Sequence, residues 1–113
     1  MAFDKILAER VRKYLDGFPN VNVQEKPMFG GLAFMVNGKM CINVSGDNLM
    51  CRFDPQLHES IFHKTGCEKM IMKGRELKGY CYVKHDGFKS DQDFDFWMDL
   101  CLSYNKKAKS SKK

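Results

Sequence analysis

The residues with the most reactive side chains in this chain are five cysteines, Cys41, Cys51, Cys67, Cys81 and Cys101, and the histidines His58 and His63. Thiols and imidazoles can supply a nucleophile and its base, a metal site or a disulfide framework, and spacing decides among these. No C-x-x-C pair occurs and the cysteine count is odd, so the pattern predicts reduced, mostly buried thiols. His58 and His63 stand five residues apart, roughly 140° around a helix, too far to chelate one ion from a shared face. They are expected at the surface. Cys67 with His63 would share a helix face, but Gly66 ends that helix first and no second ligand pair has zinc-like spacing. A thiol enzyme built on this pair would also need a pocket that the sequence does not show. No catalytic, cofactor-binding or metal-binding residue is expected.

The elements that must position these groups centre on Met28 to Asp54, which predicts three antiparallel strands. Asn37-Gly38 supplies the positive φ angles of a type I′ turn, and Gly46-Asp47 supplies a second two-residue turn. The resulting register pairs Met35 with Met40, Phe34 with Cys41, and Ile42 with Cys51. One face would then carry Ala33, Met35, Met40, Ile42, Val44, Leu49, Cys51 and Phe53. The other would carry Leu32, Phe34, Val36, Lys39, Cys41, Asn43, Met50 and Arg52. The first is the expected core. The second is half apolar, which predicts cover by a helix, a partner subunit or a ligand.

Around this meander, Asp4 caps a predicted helix to Asp16 with Ile6, Leu7, Val11, Tyr14 and Leu15 inward, stopped by a left-handed Gly17. Val21 to Lys26 reads as an edge strand before Pro27. Asp54-Pro55 opens a helix with Leu57, Ile61 and Phe62 inward, closed by Gly66. Glu68 to Met72 and Tyr80 to Lys84 read as further strands. Ser90 caps the last helix, on which Phe94, Trp97, Met98 and Cys101 form the packing stripe. The fold class is therefore α+β, an antiparallel sheet flanked by N-terminal and C-terminal helices.

With 113 residues and 43% hydrophobic content the chain makes one domain, 1–105, followed by a lysine-rich tail, 106–113. The net charge of +5 belongs to that tail, because without its five lysines the chain carries equal numbers of basic and acidic residues. A basic tail adds weak, salt-sensitive attraction to phosphates and reads no sequence. No run approaches about 18 apolar residues and no leader pattern opens the chain, which predicts a cytoplasmic protein without a membrane span.

Met28-Phe29-Gly30-Gly31, the Asn37-Gly38 hairpin, the Leu49 to Asp54 strand, Gly74-Arg75, the run Leu77-Lys78-Gly79-Tyr80-Cys81-Tyr82-Val83 and a closing helix with Trp97 occur together. In this combination the chain resembles the N-terminal domain of the TfoX/Sxy family over roughly Phe3 to Tyr104. The resemblance implies an α+β domain that is regulatory rather than enzymatic, tied to bacterial control of DNA uptake and its transcription. It supplies no catalytic residues to carry over. A single-domain member is expected, without the helical C-terminal domain of the full-length regulators.

Two functional expectations follow. One is a protein-contact module, with a homodimer left open. The other is weak nucleic-acid binding through the Lys73 to Lys78 loop and the tail. The predicted contact residues are Phe29, Gly30 and Gly31 in one turn and Lys73, Gly74, Arg75 and Lys78 in the other. Both turns combine unusual backbone freedom with exposure.

Overall fold

The computed structural model describes residues 3–28 and 30–106, apart from the side chain of Met72. Helix α1 spans Lys5–Asp16, and Asp4 caps it by accepting from the Ile6 and Leu7 N–H groups. Six strands follow: β1 Val23–Met28, β2 Gly31–Val36, β3 Lys39–Ser45, β4 Asn48–Arg52, β5 Cys67–Met72 and β6 Arg75–Val83. A 3-10 turn at Pro55–Leu57 runs into the short α2, His58–Ile61, between β4 and β5. Helix α3, Asp91–Asn105, ends the described fold, with the Ser90 hydroxyl accepting from the Asp93 N–H. The sheet order is β1-β2-β3-β4-β6-β5 and every neighbouring pair is antiparallel. The architecture is the expected α+β.

Both predicted meander turns form, since Val36 pairs with Lys39 and Ser45 pairs with Asn48. The register between them differs from the simple hairpin. After Met35↔Met40 the pairing moves to Phe34↔Ile42, which leaves Cys41 as an extra residue on β3. Side chains alternate along a strand, so one extra residue exchanges the faces of everything beyond it. Met40 therefore points away from Ile42 and Val44, and the two expected faces each split at this bulge.

The outcome is two cores. The larger gathers Phe34, Val36, Cys41, Ile42, Val44, Leu49, Cys51, Phe53, Cys81 and Val83 under the helices. Leu7, Ala8, Val11 and Leu15 come down from α1, and Phe94, Trp97, Met98 and Cys101 from α3. The smaller core, on the opposite face, is Ala33, Met35, Met40, Met50 and Met70. Fully burying side chains of this size stabilises a fold by about 1.5–3 kcal/mol each. Ile6, expected inward, is exposed at the edge of the α1 stripe.

Polar contacts lock the two long helices together above the sheet. Arg10 donates to the Phe88 carbonyl at 2.9 Å and lies over the Phe94 ring, and the Tyr14 hydroxyl bonds Asp99. Trp97 Nε1 donates to the Gly87 carbonyl at 3.0 Å. At the sheet edge, Arg12 grips Glu25 of β1 through two parallel bonds of 2.6 and 2.8 Å, a geometry that suits the planar guanidinium.

Several local expectations change. Gly17 ends α1 with a right-handed φ of −75°, its N–H returning to Leu15 and Tyr14, so no left-handed cap is used. Strand β1 continues through Pro27, which an edge strand permits. The segment after Asp54 is only a turn and a short helix, and Leu57 is exposed. Strand β6 begins at Arg75, well before Tyr80. The tail expected over 106–113 lies outside the described residues beyond Lys106.

Gly31 marks the tightest approach of β2 to β3. A Cβ there would stand 2.1 Å from the Val44 carbonyl oxygen and 2.8 Å from Asn43 Oδ1. Gly31→Ala should therefore lower stability by about 1–3 kcal/mol, the range for overpacking a dense interior. Gly30→Ala, in open space, bears only the cost of its positive φ of 73°. Urea denaturation of the two variants measures the difference.

Candidate functional site

The two predicted contact turns form as turns but lie apart. The chain direction places Gly30 at the β1–β2 end of the sheet, beside the edge strand β1. Lys73-Gly74 is the two-residue connection of β5 to β6, beside the other edge and at the opposite end of the strands. Lys73 has a φ of 53° and Gly74 a φ of 78°, the left-handed pair that such a turn needs. Arg75 and Lys78 belong to β6, so the expected loop from Lys73 to Lys78 is a tight turn followed by strand. All four residues of this group are exposed. Gly30 is exposed, Gly31 is buried, and Phe29 lies outside the described residues. The Gly30–Gly31 turn is fastened by Asn43, whose Nδ2 donates to the Met28 carbonyl at 3.0 Å while its buried Oδ1 finds no hydrogen-bond partner among the described residues.

The imidazole of His58 is the clearest departure from expectation, because it is buried at 2% exposure and held at both nitrogens. Nδ1 accepts from the Gly79 N–H at 3.2 Å, so the proton sits on Nε2, which donates to Glu76 Oε2 at 2.5 Å. The ring stacks on Phe53 and meets Phe62 edge-on. The cause lies in the sheet. Pairing of β5 with β6 moves from Lys69↔Cys81 to Ile71↔Glu76, so Leu77 to Tyr80 bow out opposite Met70. Gly79 thereby loses a strand partner for its N–H, and its carbonyl takes Phe53 N–H at 2.8 Å. His58 fills the vacant acceptor place. With its lone pair and its proton both committed, this ring is a structural brace rather than a base or a ligand.

The cysteines also converge. Cys51 and Cys81 are directly opposed on β4 and β6, and Cys67 pairs with Val83 beside them on β5. Cys101 of α3 joins Cys51 and Cys81 in the larger core, and Cys67 packs against it. Cys41 and Cys51, expected on opposite faces, share the larger core because of the Cys41 bulge. Burial pushes the thiols of Cys41 and Cys51 upward, and the Cys67 thiol is raised as well, whereas its thiol neighbours Cys51 and Cys67 draw Cys81 downward. All five are free thiols and only Cys67 is partly exposed. Among the described residues no group of His, Cys, Asp and Glu is arranged to hold a metal ion.

A family model for the TfoX N-terminal domain matches residues 13–104. The chain belongs to the TfoX N-terminal domain family. No curated protein and no solved structure matches the chain. The matched span takes in the whole sheet, α3 almost to its end and the last turn of α1.

On the second face of this TfoX N-terminal domain, the methionine floor is rimmed by the half-buried Met28, Leu77, Tyr80 and Tyr82. Every buried hydrophobic residue that the described helices contribute falls in the other core. Arg52 joins the rim, reaching the Met40 carbonyl and lying near the Tyr80 ring. The thioether side chains are flexible and polarisable, a chemistry suited to adaptable apolar contact. A separate cleft of about 210 Å³ lies between α3 and the β2–β3 turn, lined by Phe18, Val21, Val36, Asp99 and Leu102. It is smaller than usual small-molecule sites.

None of the described helices is long and apolar enough to cross a membrane. His58→Phe, which keeps a ring but removes both nitrogens, should cost about 1–3 kcal/mol in urea denaturation because the Gly79 N–H is left unpaired. The bond from His58 holds the Glu76 carboxyl below the usual range. A lowered folded-state value stabilises the fold above the ordinary Glu value near about 4.3 and that contribution is lost as pH falls through the folded value. Glu76→Gln should therefore flatten the acid limb of a stability–pH profile while leaving the neutral limb parallel to that of the parent.

Proposed function

We propose that this TfoX N-terminal domain is a non-enzymatic regulatory module that works in the cytoplasm by protein contact, with a second copy of the chain as its first partner. The observation that carries this reading is the methionine face, with its half-buried apolar rim of Met28, Leu77, Tyr80 and Tyr82 and no described helix contributing a buried residue to it. His58 supports the non-enzymatic part, since its two nitrogens are both spent on the fold. A part in the transcriptional control of DNA uptake is what family membership suggests for such a module.

A second reading rests on one specific feature, the projecting β5–β6 turn with Lys73, Arg75 and Lys78 exposed around it. Flexible cations on a hairpin tip suit phosphate contact without base reading, and they would act together with the basic tail.

Light scattering of the full chain and of a chain lacking residues 107–113, each with and without duplex DNA, separates the readings. A dimer that is indifferent to DNA supports protein contact, and Tyr82→Glu on the rim should then shift the mass toward the monomer. A monomer that binds DNA without its tail, and loses that binding in a Lys73→Ala, Arg75→Ala double variant, overturns it in favour of the hairpin tip.

A further inference from the structure

The sheet ends in two edges of different character, β1 on one side and β5 on the other. Strand β1 is guarded, since Pro27 lacks an N–H and Arg12 of α1 clamps Glu25. Strand β5 has neither device. At its irregular pairing the excess residues lie on β6, opposite the single residue Met70, and β5 stays extended from Cys67 to Met72. The Lys84 N–H bonds the Gly66 carbonyl at 2.8 Å, and bonded positions alternate along an antiparallel ladder. Glu68 is therefore the next bonded position, and the main-chain groups of Lys69 point away from β6, to the side with no neighbouring strand. The two-residue turn bonds Met72 to Arg75, which turns the main-chain groups of Ile71 outward in the same way.

Side chains give this edge a chemistry. Lys69 and Ile71 stand two residues apart on one face, and Ile71 is 59% exposed. Of the large apolar side chains exposed among the described residues, Ile71 alone lies on a strand. The hairpin carries four cations, Lys69, Lys73, Arg75 and Lys78, against Glu68 and Glu76. The Lys69–Glu76 ion pair, 3.8 Å apart with the lysine 58% exposed, is too loose to hold that ammonium back. We propose that β5 takes up an extended acidic segment of another protein as an added strand, an apolar residue of the segment covering Ile71 and a carboxylate two positions away meeting Lys69. In an antiparallel arrangement the residue two positions to the other side reaches the Lys73 turn, so the fitting pattern is acidic-x-apolar-x-acidic. A second copy does not fit. Two-fold antiparallel pairing of β5 with itself sets Lys69 opposite or diagonal to Lys69 or Lys73 of the other chain, and like charges so placed are destabilising. A nucleic-acid backbone would meet the cations but leave Ile71 and the outward main-chain groups unused. The inference holds whatever covers the methionine face.

The probe is a fluorescein-labelled peptide with the core Glu-Thr-Ile-Thr-Glu, titrated with the full chain at low salt and followed by fluorescence anisotropy. Saturable binding is expected, with amide-resolved hydrogen exchange showing new protection at Lys69 and Ile71 and none along β1. Ile71→Lys and Lys69→Glu should each weaken binding by about tenfold, whereas Lys26→Glu on the guarded edge should leave it unchanged. Lys26, Lys69 and Ile71 are all exposed, so the variants keep the fold, which far-UV circular dichroism confirms. Absence of saturable binding, or equal affinity for Ile71→Lys and the parent, overturns the proposal. So does an all-glutamate peptide that binds as tightly, since charge alone would then account for the contact, or exchange protection that appears along β1 in place of β5.

Discussion

The extra residue in β3 governs what each side of this sheet can do. A strand presents alternate residues to opposite faces, and Cys41 breaks that alternation at a single point between Met40 and Ile42. Upstream of it the methionine goes to the face away from the helices. Downstream, the branched residues Ile42 and Val44 go under the helices. A continuous pairing would place flexible and rigid side chains in the same layer, and neither α1 nor α3 would meet a uniform surface. The bulge sorts them into one core of aromatic, branched and thiol side chains and one of thioethers.

The second irregularity acts by a different physical route. Where β6 bows away from β5, a backbone N–H in the interior loses its strand acceptor, and an unpaired buried donor is costly. The chain supplies a ring nitrogen from α2 instead. His58 thus fixes α2 to β6, and Glu76 fixes the tautomer that leaves the other nitrogen free to accept. The short helix between β4 and β5 owes its position to that bond more than to its own propensity, since a helix of four residues is far below the length at which isolated helices persist.

Much of this was legible in the residues. Asn37-Gly38, Gly46-Asp47, the Asp4 and Ser90 caps and the α3 stripe each carry a local chemical reason for the structure they form, and each forms it. The Cys41 bulge was not legible, because Met40-Cys41-Ile42 is apolar throughout and offers no alternation from which an inserted residue could be noticed. His58 was misread for a related reason. Its partners stand at Glu76 and Gly79, across two elements, so nothing in the local spacing of the histidines points to them. The meeting of Cys51 with Cys81 depends on β6 inserting between β4 and β5, a neighbour relation that skips a strand in sequence. The same insertion puts the two glycine turns at opposite corners. Their being turns was readable, and their separation was not.

The indole of Trp97 gives the fold an optical property. It is the single tryptophan of the chain, fully buried, edge-on to Phe96, with its N–H held by the Gly87 carbonyl at the far end of the loop that follows β6. Its emission therefore comes from one environment, the seam between α3 and the sheet. A red shift reports α3 lifting from that seam and admitting water. Events confined to the methionine face leave the colour unchanged, so one wavelength distinguishes which side of the sheet has been disturbed.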